Sequence, residues 1–420
     1  MSATKPFTIP KPLVMEAFRA VKANAGAAGV DKQSIEAFES NLKDNLYKVW
    51  NRMSSGSYFP PPVKAVEIPK KNGGIRILGV PTVSDRVAQM VVKLVFEPCV
   101  EPAFLPDSYG YRPEKSALDA IAVTRKRCWQ YDWILEFDIK GMFDNIDHEL
   151  LLRAVRKHTE CKWVILYIER WLKASLQLPD GTLVERTKGT PQGGVVSPVL
   201  CNLFMHYVFD LWMKRTFARA PWCRYADDGL VHCKTEQEAQ NVKAALANRL
   251  AECGLQMHPD KTRIVYCKDS NRRGKYPNTK FDFLGYTFRP RSAKNLGQDK
   301  LFVSFTPAVS SKALTAMRQT TRQWNIRNRA DLGLTQIARM FNPVLRGWLN
   351  YYGRFHVSAM DPVLRHFDLT LIAWAMRKYK KLKGRKTRAA NLLAAVAKRE
   401  PHLFVHWKRT MGSFCLMGAV

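Results

Sequence analysis

The residues best suited to chemistry in this chain are Asp227 and Asp228. These adjacent carboxylates lie between two short apolar runs, Cys223-Arg224-Tyr225-Ala226 and Gly229-Leu230-Val231-His232-Cys233. The pattern predicts a strand, a tight turn carrying both charges, and a second strand. A turn lifts carboxylates out of a sheet to where they can meet a cation. A hard cation such as Mg²⁺ takes oxygen ligands and keeps positions free for substrate phosphates. One hairpin supplies too few ligands, so a third carboxylate is expected on a neighbouring strand. Ile134-Leu135-Glu136-Phe137-Asp138-Ile139 offers it, with Asp138 near the end of a mostly apolar run. A carboxylate closing a buried strand is costly when unpaired, which favours Asp138 as a ligand. Asp147, just ahead of an apolar helical run, reads instead as a helix N-cap, and Asp144 stays open to a structural role.

The elements that must position these acids can be followed on either side. Residues 1–60 read as helical, with Val14, Ala17, Phe18 and Val21 on one face. Two alternating runs, 64–69 and 75–78, flank Asn72-Gly73, a hairpin signal because the turn needs positive φ. Lys70 and Lys71 near its tip are either solvated charges or cations projecting onto a triphosphate. Helices are expected over about 87–96, 116–128 and, as a pair, 149–175. Gly189-Thr190-Pro191-Gln192-Gly193-Gly194 then opens a long helix through Leu203 and Phe209. Taken alone such a glycine-rich turn reads as an ordinary loop–helix junction; the alternative is that it sets backbone N–H groups and an amide side chain against a base pair or phosphates. An amphipathic helix over 237–253, a strand over 263–267 and a strand pair over 281–288 follow. From about residue 306 the chain reads as helical. Trp348, Tyr351, Tyr352 and Phe355 recur at helical spacing as a core stripe, with Arg346 and Arg354 off it.

Composition limits the partners. A chain of 420 residues, 46% of them apolar, is expected to pack as two to four modules. The formal net charge is +31, and residues 301–420 hold 21 Lys and Arg against 4 Asp and Glu. Charge of that size calls for an anionic partner, a nucleic acid foremost and a membrane surface as the rival. No run approaches the roughly 18 apolar residues of a spanning helix, and no signal-peptide core opens the chain. The nine cysteines include no Cys-x-x-Cys pair, which argues against zinc ribbons and a disulfide framework. A cytoplasmic, nucleoid-associated protein is expected. The run Arg377, Lys378, Lys380, Lys381, Lys383, Arg385 and Lys386 reads as a site of backbone-phosphate binding.

Taken in order, seven segments carry a resemblance. They are Gly29-Val30-Asp31; Gly73 to Thr82; Ser108-Tyr109-Gly110-Tyr111-Arg112-Pro113; Phe137-Asp138-Ile139-Lys140; Thr190-Pro191-Gln192-Gly193-Gly194 with Ser197-Pro198; Tyr225-Ala226-Asp227-Asp228; and Phe283-Leu284-Gly285-Tyr286. Together they resemble the reverse transcriptases encoded by group II introns, also called maturases. The likeness is close over about 25–290 and looser through Leu345-Arg346-Gly347-Trp348 and Tyr351-Tyr352.

The resemblance implies an α+β right-hand polymerase with fingers, a palm built on an antiparallel sheet, and an all-helical thumb or maturase segment. The expected divisions are 1–85, 86–305, 306–375 and a basic 376–420. It implies two Mg²⁺ ions (Mn²⁺ as substitute) held mainly by Asp138 and Asp227, with Asp228 alongside and Ile139 counted in the metal set. Arg76 and Lys70 or Lys71 would clamp the triphosphate. Gln192 would line the nucleotide pocket, Phe143 would crowd the 2′ position, and Lys261 would protonate the departing pyrophosphate. Arg346, Arg354 and the basic run would hold nucleic acid. The implied partners are intron RNA, template RNA, a DNA primer or target, and dNTPs. The chain lacks the paired cysteines and histidines of the family's nuclease domain, so mobility is expected to proceed without self-made second-strand cleavage. Two other functions fit the same residues: an RNA-binding splicing cofactor that makes little use of its polymerase, and a domesticated enzyme of DNA repair or phage defence.

Overall fold

A computed structural model of the chain describes residues 5–69, 73–295 and 300–410. The chain divides into two compact units, one of residues up to Ala120 with Trp133–Ile264, the other of Ile121–Asp132 with the residues from Val265 on.

In the first unit the N-terminal helix Lys11–Ala23 buries Val14, Ala17, Phe18 and Val21, the face expected from their spacing. The strand Val63–Pro69 buries Val63 and Ala65 while its alternate residues face out. It pairs antiparallel with Ile75–Val80, so the two runs foreseen on either side of Asn72-Gly73 are paired strands. Lys70, Lys71 and Asn72 lie outside the described residues. The short strands Leu176–Gln177 and Leu183–Val184 extend this sheet.

A second four-stranded sheet carries the acids. Its order is Trp222–Tyr225, Asp228–Cys233, Trp133–Asp138, Arg263–Tyr266. Ile134, Leu135 and Phe137 on one central strand and Leu230, Val231 and Cys233 on the other are buried, as apolar runs without alternation require. The helix Glu236–Glu252 buries Ala239, Val242, Leu246 and Leu250 along one stripe and packs on both central strands. Phe209, from the helical stretch that begins at Ser197, meets Phe137 at 5.1 Å and Trp222 at 5.2 Å between ring centres.

The second unit holds a three-stranded antiparallel sheet in the order Lys300–Val309, Tyr286–Asn295, Phe281–Phe283. Its two ten-residue strands were not expected from the sequence, where only 281–288 read as strand. Beyond it Ser310 caps the helix Ser311–Gln323 by accepting from the Ala313 N–H at 3.2 Å, and helices Leu334–His356, Asp361–Lys378 and Lys386–Arg399 follow. The aromatic stripe on Leu334–His356 is a core stripe. Trp348 stacks on Trp324 at 5.5 Å, Tyr351 donates its hydroxyl to the Leu284 carbonyl at 2.8 Å, and Tyr286 is ringed by Tyr351, Tyr352 and Phe355. No helix among the described residues is long and apolar enough to cross a membrane, and every described cysteine is a free thiol.

Candidate active site

The acidic hairpin is tighter than its sequence suggests. Tyr225 pairs with Asp228, so Ala226 and Asp227 alone make the turn. The expectation that the turn lifts both carboxylates is therefore corrected. Asp227 sits on the turn, whereas Asp228 is the first residue of the returning strand and stands directly opposite Asp138. Cross-strand partners of this kind have Cβ atoms about 4.5–5.5 Å apart. Gly229 is a strand residue as well. Its place is set by Phe137 opposite it, because a Cβ there would lie within 3.0 Å of three ring atoms.

Ala226 takes φ 57°, a conformation that costs a residue with a side chain about 1–2 kcal/mol. Arg224 holds it there. This fully buried guanidinium donates to the Ala226 carbonyl at 3.1 Å and to Asn202 Oδ1 at 3.2 Å. Its remaining N–H groups go to Asp210 at 2.8 and 2.7 Å and to Ser108 Oγ at 2.8 Å. All five donors are thereby used. Asp210 arrives on a π turn, His206–Asp210, that interrupts the helix from Ser197. Burial pushes its carboxyl up, and Arg224 pulls it back. Gly110 completes the brace. A Cβ at that position would sit 2.5 Å from the Ala226 nitrogen, and the Gly110 carbonyl accepts from Asn202 Nδ2 at 2.6 Å.

The electrostatics of the three acids point to a cation. Burial, then the neighbouring Asp227 and Asp138 carboxylates, push Asp228 up to about 7. Burial, then Asp138, raises Asp227 as well. Asp138 is engaged by Lys261, whose Nζ lies 2.7 Å from Oδ2. That hydrogen bond, more than any other cause, raises the lysine. Among the described residues no three His, Cys, Asp or Glu side chains converge as a ready-made cage. The donor chemistry nevertheless fits a hard divalent cation: clustered carboxylates repel one another and offer only oxygen. The Asp138 carbonyl accepts from the His258 N–H and the Lys140 N–H donates to the Gln256 carbonyl, each at 2.8 Å, so this bridge leaves the Ile139 carbonyl unused.

Beside the acids, two segments are zipped together. The Thr190 N–H donates to the Phe143 carbonyl and the Gly189 N–H to the Ile146 carbonyl, both at 2.7 Å. His148 Nε2 meets the Gly189 carbonyl at 2.7 Å, and Lys188 donates to Asn145 at 2.9 Å. Asp147 caps the helix His148–His158 as expected, accepting from the Leu150 N–H at 2.8 Å. Gln192 then bridges two charges, accepting from Arg76 Nε at 2.8 Å and donating to Asp144 at 3.2 and 3.0 Å. Tyr111 stands edge-on to Phe143, ring centres 6.5 Å apart. The turn itself is supported from below by Gln89, which accepts from the Val195 N–H at 2.7 Å.

Arg76, Gln192 and Phe143 are thus brought together through Asp144, and Asp138, Asp227, Asp228 and Lys261 form the neighbouring acidic cluster. Arg346, Arg354 and the basic run belong to the second unit. Within that run Lys378 is already engaged, donating to the Ala330 and Leu332 carbonyls at 2.9 and 2.8 Å, and Arg377 bonds Asn328. Lys380, Lys381, Lys383, Arg385 and Lys386 are exposed. Sequence reasoning passed over Arg224, since nothing distinguishes a buried arginine from a strand-edge one. It quoted Asp144 and Tyr111 without a role, because their partners lie 48 and 32 positions away.

An antiparallel sheet with two central strands bearing acids, beside the strand that carries Arg76 and a glycine-rich turn, defines a polymerase-type site. Residues 68–288 match the family described as reverse transcriptase (RNA-dependent DNA polymerase), and residues 314–392 match the group II intron, maturase-specific domain. The chain belongs to the reverse transcriptase family, in its group II intron branch, and is an RNA-directed DNA polymerase. Protein YkfC of Escherichia coli (strain K12) is 28% identical over 351 residues, 74% of this chain and 88% of that one. The group II intron-encoded protein LtrA of Lactococcus lactis subsp. cremoris is 33% identical over 208 residues, 48% of this chain and 34% of that one. A putative COX1/OXI3 intron 1 protein of Saccharomyces cerevisiae is 24% identical over 362 residues, covering 74% of this chain and 41% of its own length. The chain therefore spans most of the first relative but less than half of the two intron-encoded ones. Membership implies a divalent metal requirement and nucleic-acid partners.

Proposed function

We propose that the chain extends a primer 3′-hydroxyl on an RNA template with deoxynucleoside triphosphates, using two Mg²⁺ ions held mainly by Asp138 and Asp227, with Asp228 and the Ile139 carbonyl alongside. The observation that carries this reading is the register pairing of Asp138 with Asp228 beside the turn residue Asp227. What the bound ions supply is charge neutralisation on the triphosphate and a lowered pKa for the attacking hydroxyl. In the reaction the primer oxygen bonds to the α-phosphorus, the bond to the bridging oxygen breaks, and pyrophosphate leaves with the electron pair. The chain's own contribution is positioning. Arg76 faces the triphosphate, Gln192 lines the pocket, and the Phe143 ring meets the 2′ position. Lys261 holds only Oδ2 of Asp138, so the other carboxylate oxygen can take a cation, and the lysine is an ammonium donor for the leaving pyrophosphate.

A second activity, assistance of group II intron splicing and retrohoming, is supported by the matched maturase-specific domain together with the basic excess of residues 301–420. Service in repair or phage defence would use the same chemistry. Primer extension on RNA with Mg²⁺ tests the central reading. Asp138→Asn and Asp227→Asn are each expected to abolish synthesis while template–primer affinity stays within about twofold, since few nucleic-acid contacts depend on one half-buried acid. Near wild-type synthesis by either variant overturns the metal assignment.

A further inference from the structure

Gln192 is a neutral residue set between two opposite charges, and its amide has two orientations of nearly identical shape. Its Nε2 donates to both Asp144 oxygens, at 3.2 and 3.0 Å, and its Oε1 accepts from Arg76 Nε at 2.8 Å. A carboxylate only accepts and a guanidinium only donates, so each charge fixes one end of the amide. Arg76 is exposed on its strand and makes no ion pair with a carboxylate among the described residues; the Asp227 charge acts on it, but the hydrogen bond that fixes its Nε is the one to Gln192. Asp144 is not needed to dock the two segments. The Phe143–Thr190, Ile146–Gly189, His148–Gly189 and Asn145–Lys188 hydrogen bonds already hold them on both sides of it.

We propose that Asp144 is a positioning residue of the nucleotide pocket: by claiming the Gln192 amide NH₂ it turns the amide oxygen to Arg76 and so aims the guanidinium at the incoming triphosphate. The inference rests on the assignment of Arg76 and Gln192 to the nucleotide. It adds a residue that acts on the nucleotide only through them.

Single-nucleotide incorporation on a primed RNA template tests it. Asp144→Ala is expected to raise the KM for dNTP about tenfold, the worth of a charged hydrogen bond at an exposed position, with kcat within about threefold and the melting midpoint unchanged. Asp144→Glu should restore most of the loss. In a Gln192→Ala background, Asp144→Ala should add nothing, because the residue acts through that amide. Equal effects in both backgrounds, an unchanged KM, or a fall in kcat alone overturns the proposal. The same variants are compared for dNTP-dependent retention of a template with a dideoxy-terminated primer, which needs no chemistry. Retention that depends on Asp144, in a wild-type chain that incorporates nothing, upholds this inference while the polymerase assignment fails. Retention that ignores Asp144 sinks the inference alone, and a wild-type chain that neither retains nor incorporates sinks both.

Discussion

Arg224 carries more of the site than its exposure suggests, because four residues meet at its guanidinium. Asp210, Asn202, Ser108 and the turn carbonyl of Ala226 are all satisfied by one planar fork. Lysine retains the charge but is a point donor with three N–H groups and no fork. Arg224→Lys is expected to cost about 3–5 kcal/mol, the range for breaking a buried pair. It should also abolish primer extension, read by chemical denaturation and by incorporation on the same sample. His206, four residues before Asp210, gives a pH signature. It is buried edge-on to Phe104 and Tyr207, and burial first, then Arg224, lowers it from 6.5 to about 4. Unfolded chains bind this proton below about 6.5 and folded ones only near 4, so stability falls as pH drops through that window and is fully present above it. The loss amounts to at most about 3 kcal/mol. The urea midpoint of His206→Leu should fall less steeply between pH 6.5 and 4 than that of the wild type, and parallel curves would refute the assignment.

At the scale of elements, the site depends on register. A strand that slips by one residue sends every side chain to the other face, which would part Asp138 from Asp228. Gly229 and Phe137 pin that register, the ring filling the space a Cβ would take. Gly229→Ala is expected to cost about 1–3 kcal/mol or more by overpacking and to cut incorporation. Phe137→Leu in the same chain should recover part of both. If the double variant is no better than Gly229→Ala alone, the ring is not what excludes the side chain. The zipped segments around Gln192 work by the same logic. Backbone hydrogen bonds set the spacing, and side chains such as Asp144 then tune direction.

Across the whole molecule the dominant quantity is charge, +31 in all, with residues 301–420 carrying 21 bases against 4 acids. Lys378 is internal to its unit, so the exposed grip reduces to Lys380, Lys381, Lys383, Arg385 and Lys386. Neutralising these five should weaken RNA binding and flatten its salt dependence by about 0.7–0.9 logarithmic units for each phosphate left without its cation. Single-turnover extension on a saturating pre-bound template should barely change. An unchanged salt slope would mean that the run is solvated surface.

The sequence by itself determined the chemistry of this protein. Two adjacent acids bounded by apolar runs, a third acid ending a buried strand, and the ordered segments between them name a reverse transcriptase, because residue type and local period are properties of the chain. It also determined the paired strands on either side of Asn72-Gly73, the Asp147 cap and the aromatic stripe, each decided within a few residues. Only the tertiary structure decided which acid stands on the turn and which in the strand. It alone decided that Gly229 yields to Phe137, that Arg224 is buried with Asp210, and that Asp144 reaches Gln192. The pairing of the ten-residue strands Tyr286–Asn295 and Lys300–Val309 escaped for the same reason. These strands alternate weakly, and what holds them is pairing with each other. Interactions between residues far apart in the chain have no local period, so only the folded chain shows them.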